Sequence, residues 1–101
     1  MIHVIASVRV KEGRRSDYLE AFKTIISAVR SEKGCVNYFP AIDLPADLPA
    51  QKLDEHAVTI IETWESLDAL YDHLKTPHYL AYREQVKDIV ENVSLKVLQE
   101  V

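Results

Sequence analysis

The chain has 101 residues, 48% hydrophobic and 28% charged, with a formal net charge of −4. Length and composition fit one small soluble domain whose folding buries roughly two thirds of the unfolded surface. Acidic and basic residues are interspersed and Arg14-Arg15 is the only adjacent basic doublet, which excludes the concentrated Lys/Arg of non-specific nucleic-acid binding. The single cysteine, Cys35, rules out an internal disulfide framework and a multi-cysteine zinc site. Arg9 arrives too soon for a secretory hydrophobic region and no apolar run reaches membrane-spanning length, so a cytoplasmic protein with no membrane partner is expected.

Residues 2–10, "IHVIASVRV", alternate strictly, with Ile2, Val4, Ala6, Val8 and Val10 on one face. That period predicts a strand with one face on the core. From Arg14 to about Arg30 the period changes, and Tyr18, Leu19, Phe22, Ile25, Ile26 and Val29 form the stripe of an amphipathic helix. Asp17 and Glu20 complement its positive end, and Gly34 is placed as a C-cap. Residues 35–43 read as a second strand, with Pro40 marking it as an edge, a bulge or a strand end. Residues 44–56, carrying Leu-Pro-Ala twice, read as a long hairpin connection stiffened by Pro45 and Pro49.

Residues 57–65, "AVTIIETWE", give a third strand, with Val58, Ile60, Glu62 and Trp64 on one face. Ser66 is set to cap a short helix with Leu67, Leu70, Tyr71 and Leu74 as its apolar stripe. Thr76-Pro77 then starts a third helix to about Asn92, with Tyr79, Tyr82, Val86, Ile89 and Val93 in register. Residues 94–101 close the chain as a last strand. The order β-α-β-β-α-α-β predicts an α+β, ferredoxin-like fold: an antiparallel sheet with helices on one face, in a single domain over 1–101. Ile5, Ile61 and Leu98 fall on the other face, where a second copy would bury them, so a homodimer is expected.

"HLKTPH", residues 73–78, carries two of the four histidines. A zinc-binding helix favours an i, i+4 pair, whereas His73 and His78 are five apart with a helix start between them, so no metal is expected. His78 falls in the first turn of a helix, whose dipole disfavours imidazolium, and a neutral imidazole suits a general base. Tyr82 lies one turn further on. His73 flanks the stripe of the short helix and could reach a pocket or bond the loop before Pro77. Trp64 is either core packing or a flat wall for an aromatic ligand. Glu62 shares its face and, if interior, needs a partner or a raised pKa, with Arg9 and Arg83 as possible partners. Cys35 reads as a small buried hydrophobe rather than a nucleophile.

"IIETWES" followed by "LDALYDHLKTPHY", together with "GCVNY", resembles the antibiotic biosynthesis monooxygenase family, including its small quinol monooxygenase members. The resemblance covers essentially the whole chain and is strongest from Trp64 through Tyr79. It implies a ferredoxin-like fold dimerised into an α+β barrel, with a pocket between sheet and helices bordered by Trp64, His73 and His78. It also implies oxygenation of a quinol or polyphenol by O₂ without metal or flavin. In that chemistry Trp64 would stack on the substrate, His78 or His73 would take the phenolic proton, and Tyr82 or Arg83 would stabilise the anion. Heme-degrading relatives use an Asn and an axial His at positions that fall near Ala6 and Arg83, so heme degradation is not expected. Two alternatives remain: isomerisation of a small keto-enol metabolite, as in autoinducer-processing relatives with a similar T-P-H-Y ending, and a non-catalytic ligand-binding dimer.

Overall fold

The computed structural model describes all residues 1–101. Its elements are β1 (Ile2–Val10), α1 (Arg15–Lys23), α2 (Ile26–Arg30), β2 (Cys35–Ala41), β3 (Ala57–Trp64), α3 (Leu67–His73), α4 (Pro77–Val86) and β4 (Val90–Gln99). The four strands form one sheet in the order β2-β3-β1-β4, and every neighbouring pair is antiparallel. This is the α+β, ferredoxin-like arrangement, with the helices on one face of the sheet. The alternation in β1 becomes the inner layer of the core: Val4, Ala6, Val8 and Val10 are buried beside Val58, Ile60 and Trp64 of β3. Tyr18, Ala21 and Phe22 of α1, Val29 of α2, and Tyr82 and Val86 of α4 close over them.

The helix expected over 14–30 is broken at Thr24. Its hydroxyl donates to the Ala21 carbonyl at 2.6 Å, and the Thr24 and Ile25 amides also close back three residues rather than four. Thr is a residue whose side chain competes in this way for helix carbonyls, so the chain turns and restarts as α2. Gly34 does not cap the helix, which ends at Arg30 with Ser31 as its C-cap. It sits at φ +85° in the turn that feeds β2, where its carbonyl accepts the Glu65 amide at 2.8 Å.

Glycine is required at that turn twice over. The backbone is left-handed, and a Cβ at residue 34 would lie 2.6 Å from Ala69 Cβ. Gly13 is also left-handed, at φ +76°, but a Cβ there meets nothing within 4 Å. Gly34→Ala is therefore expected to cost at least about 2 kcal/mol and Gly13→Ala about 1 kcal/mol, because only the first adds a clash to the backbone strain. Urea denaturation of the two variants measures the difference, and equal costs would contradict the close approach.

At the other end of the chain, α4 stops at Val86 and β4 begins at Val90, four residues earlier than the helical period implies. The Lys11 amide donates to the Ile89 carbonyl at 2.9 Å, and Val10 pairs with Val90, so β1 captures residues 90–93 as strand. Their β-branched side chains suit the sheet, and tertiary pairing overrides the local period. Pro40 lies in the edge strand β2, as its missing N–H demands. Residues 42–56 join β2 to β3 without helix or strand, tied by Gln51 to Leu44 and Ala46 and by an Arg9–Asp54 ion pair.

Both caps read from the sequence are present. Ser66 Oγ accepts the Ala69 amide at 3.2 Å, and Thr76 Oγ1 accepts the Tyr79 amide at 3.4 Å ahead of Pro77. The stripe of α3 is rotated from expectation, however: Leu70 and His73 are its buried residues, while Leu67, Tyr71 and Leu74 are exposed. Beyond the helices, Val93, Leu95 and Val97 of β4 pair with Val8, Ala6 and Val4 and are exposed on the helix side of the sheet. On the opposite face Ile5 pairs with Ile61, and both are half-buried with no element above them.

Candidate active site

A cavity of about 410 Å³ opens between the sheet and the helices. That volume lies in the range of small-molecule sites. Its walls are mostly apolar, with Val4, Ala6 and Val8 of β1 as the floor, Phe22 and Val86 above, and Val93, Leu95 and Val97 on the β4 side. All five tyrosines, Tyr18, Tyr38, Tyr71, Tyr79 and Tyr82, line it too, as do the carboxyl of Glu62 and the imidazole of His73. Arg83 and Lys87 of the α4 region supply positive charge at its exposed side.

His73 is brought to the cavity as the last residue of α3, the short helix capped at Ser66. The ring is 1% exposed and packs against Trp64 (4.7 Å between centroids), Tyr79 (4.8 Å) and Tyr38 (5.4 Å). Its Nδ1 lies 3.0 and 3.2 Å from the two carboxylate oxygens of Glu32. Its Nε2 has no hydrogen bond within the chain, yet no fully buried side-chain nitrogen or oxygen lacks a partner, so Nε2 meets the cavity that His73 lines. With Nδ1–H donating to a carboxylate, Nε2 is left as a lone-pair acceptor. Burial pushes the His73 pKa below the ordinary imidazole value, partly offset by Glu32, so the ring is neutral at pH 7.

Glu62 is the second group. Trp64 Nε1 donates to its Oε1 at 2.9 Å, and by the same reasoning Oε2, which has no partner, faces the cavity. Burial raises its pKa to about 7, the Trp64 hydrogen bond opposing the rise and Glu32 adding to it. Near neutrality it is thus a mixture of carboxylic acid and carboxylate. The tyrosine hydroxyls are held protonated: desolvation raises the pKa of Tyr18, Tyr38, Tyr79 and Tyr82, and the Tyr18 and Tyr82 hydroxyls bond each other. The cavity therefore offers a flat apolar slot, neutral O–H donors, one imidazole acceptor and one carboxyl poised between its two forms.

The sequence-based candidates divide. His73, Tyr82 and Arg83 line the cavity. Trp64 does not: it is fully buried, backing His73 and holding Glu62, rather than presenting a face to a ligand. His78 also lies outside the lining, and its Nε2 bonds Glu32 Oε2 at 2.7 Å. Neither Arg9 nor Arg83 pairs with Glu62; Arg9 pairs with Asp54. Glu32 was not singled out in the sequence, because it lies 41 residues from His73 and 46 from His78 and no local pattern joins them.

Glu32, His73 and His78 are also the one group of three whose donor atoms, all within 4.8 Å of one another, could hold a metal ion. The five-residue interval that spoke against a helical zinc pair does not prevent convergence, since the third ligand comes from the turn after α2. The same contacts are equally those of one carboxylate accepting an N–H from each imidazole.

Comparison with known proteins places the chain in a family. The profile of the antibiotic biosynthesis monooxygenase family matches residues 1–85. The protein named "Probable quinol monooxygenase YgiN" of Escherichia coli K12 is 38% identical over 101 residues, covering 98% of this chain and 97% of its own. Among solved structures, Rv0793 of Mycobacterium tuberculosis superposes with a TM-score of 0.82 at 29% identity, covering 99% of this chain and 94% of that one. The protein named "Putative antibiotic biosynthesis monooxygenase" from Nitrosomonas europaea superposes with a TM-score of 0.85 at 20% identity, covering 100% of this chain and 99% of that one, a likeness of fold. With a family profile over most of its length and a relative of this identity along nearly all of it, the chain belongs to the antibiotic biosynthesis monooxygenase family.

Proposed function

We propose that this protein is a monooxygenase that oxidises a quinol or similar electron-rich phenol with O₂, using no bound cofactor. The observation that carries this reading is the pair of open groups, His73 Nε2 and Glu62 Oε2, on one aromatic-lined apolar cavity. The name of the Escherichia coli relative supports the substrate class. Triplet O₂ reacts sluggishly with closed-shell molecules, but a phenolate can give it one electron. The protein's work is then to make and hold the phenolate. His73 takes the phenolic proton at Nε2, and the tyrosine hydroxyls, Arg83 and the protonated form of Glu62 stabilise the oxyanion. A quinol supplies all four electrons, so that O₂ ends as one ring oxygen and one water.

The His73 base replaces the His78 base favoured by the sequence pattern, because His73 is the imidazole on the cavity wall. A pH profile of kcat/KM follows from the two groups. Activity rises as His73 loses its proton, below the ordinary imidazole range, and declines as Glu62 ionises near pH 7. A bell with its alkaline limb near 7 is expected, and Glu62→Gln should remove that limb.

The test is oxygen consumption with menadiol as the probe quinol, measured on metal-stripped protein. Protein-dependent uptake that survives chelation is expected. No uptake with menadiol or related quinols would sink the reading, and uptake lost on chelation would sink its metal-free form. Two groups that exchange protons on one cavity would also serve keto-enol isomerisation, the second reading. An isomerase turns over equally well under argon, whereas the monooxygenase stops.

This reading takes a homodimer of single-domain, cytoplasmic chains as the working unit. It is supported by the uncovered Ile5 and Ile61 and by the exposed β4 residues that leave the cavity open on one side. No helix is long and apolar enough to cross a membrane. Sedimentation is expected to give twice the mass of one chain, and Ile61→Glu, which sets a charge on that face, to weaken association at least tenfold. A monomer in the wild type would contradict it.

A further inference from the structure

Glu32 and His78 stand outside the cavity and have no part in the chemistry so far, yet Glu32 bonds the proposed base, His73, and His78 bonds Glu32. Glu32 sits in the turn between α2 and β2, with its side chain 12% exposed, and receives His73 Nδ1 on one side and His78 Nε2 on the other. His78 is 28% exposed, so an unbroken line runs from the cavity through His73 Nδ1 and Glu32 Oε2 to an imidazole in contact with solvent. Every link is 3.0 Å or less. We propose that Glu32 is the positioning residue of the active-site base and, with His78, its proton outlet.

The role has two halves, and it rests on the reading of His73 as the base. The first half is tautomer selection. A neutral imidazole carries its proton on either nitrogen, and only the Nδ1–H form leaves Nε2 free to accept from a substrate. A carboxylate cannot donate, so Glu32 admits only that form. The second half is removal of the proton. When Nε2 takes the phenolic proton, the ring becomes imidazolium, paired with Glu32. Release of the Nδ1 proton to Glu32 Oε2 returns the ring to neutrality with the new proton on Nε2. Glu32 then gives its proton to water, or to His78 in the tautomer whose Nε2 holds the lone pair, and a half-turn of the His73 ring, which carries the new N–H back to Glu32, resets the base. No bond other than N–H and O–H is made or broken, and the charge delivered to the cavity leaves by a path separate from the substrate's own entrance.

Several other groups lie around His73, and each would colour its titration: Trp64 from β3 with the Glu62 carboxyl it holds, Tyr38 from β2, and Tyr79 and His78 from α4. A variant of Glu32 is therefore read by the nitrogen it touches and not by pH alone. In ¹⁵N NMR of the histidine side chains, wild-type His73 is expected to show a protonated Nδ1 and an unprotonated Nε2 at pH 8. Glu32→Gln offers an amide that can donate as well as accept, so the Nε2–H form should appear and the His73 titration should move to lower pH. A His73 already protonated on Nε2 in the wild type, or one whose tautomer ignores Glu32→Gln, would overturn the positioning role. This arm needs no turnover, so it stands whether or not menadiol is a substrate.

The outlet is tested by chemical rescue. His78→Ala is expected to lower kcat for menadiol oxidation about tenfold with KM unchanged, and millimolar imidazole should restore most of it, as for a removed proton carrier. A full kcat in His78→Ala, or a loss that imidazole does not restore, would overturn the outlet. Menadiol inert with the wild type would fail the functional reading, and the outlet with it, while the NMR result still decides the positioning role.

Discussion

His73→Gln is expected to lower kcat for quinol oxidation by about 10²–10³-fold while leaving the fold intact. Glutamine fills much of the imidazole's volume and can still donate to Glu32, so the packing with Trp64, Tyr38 and Tyr79 is disturbed less than by alanine. What it lacks is a basic nitrogen facing the cavity. The loss should fall on kcat and kcat/KM alike, since the proton is removed on the way to the transition state and not on binding. Steady-state oxygen uptake, with circular dichroism as the control for folding, makes the measurement. Glu62 is the rival base, because its carboxyl also opens on the cavity near its midpoint. Glu62→Gln keeps a hydrogen-bond donor there and is expected to retain activity within about tenfold. A collapse in Glu62→Gln as deep as in His73→Gln would move the base to Glu62.

The second large effect is on stability. The Glu62 pKa is raised from its ordinary 4.5 to about 7, so between those values the folded state binds a proton that the unfolded chain releases. Stability from this group is therefore full below pH 4.5, falls as pH rises through the window and levels off above 7. The loss amounts to about 3 kcal/mol for a group this buried. His73 works in the opposite sense. Its pKa is lowered on folding, so its contribution is complete above about 6.5 and is lost as pH falls. Glu62→Gln removes the first dependence and keeps the second, while its amide oxygen can still accept from Trp64. The variant is expected to match the wild type at pH 4.5 and to exceed it by up to about 3 kcal/mol at pH 8. Urea denaturation at the two pH values decides it, and a variant weaker than wild type at pH 8 would contradict a strained carboxylate. A group held at such a cost fits an active-site role, since strain of this kind is retained where function needs it.

What the sequence revealed was local. Alternation over 2–10 and 57–65 marked two strands, with the inner faces correct down to Glu62 beside Trp64. Ser66 and Thr76-Pro77 gave two helix starts, because a cap is a contact within three residues. Local pattern failed where partners distant in sequence decide. The helical period runs on through Ile89 to Val93, but β1 pairs with residues 90–93 as strand. Thr24 looked like any position in a helix, and only its hydroxyl bond to Ala21 ends the first segment.

The site divides along the same line. His73, Tyr82 and Arg83 were found from a resemblance and from helical spacing. Trp64 was placed on the right face, but alternation cannot tell a residue that lines a cavity from one that lies behind its wall. His78 drew attention through its place at a helix start, whereas rotation of α3 decides that the buried imidazole is His73. Glu32 had no signal beyond being an acid just before a Gly-Cys turn, and its importance exists only once α2, β2 and α3 are packed together.

The proposed oxygenation requires the cavity to turn a bound quinol into its anion before oxygen is involved. Menadiol added to the protein under argon at pH 7 tests this directly by its near-ultraviolet absorption. The wild type should shift the bound quinol's band to longer wavelength, as phenolate formation does, and His73→Gln should bind menadiol without that shift. A quinol that stays neutral in the wild type, or ionises equally in His73→Gln, would contradict the account.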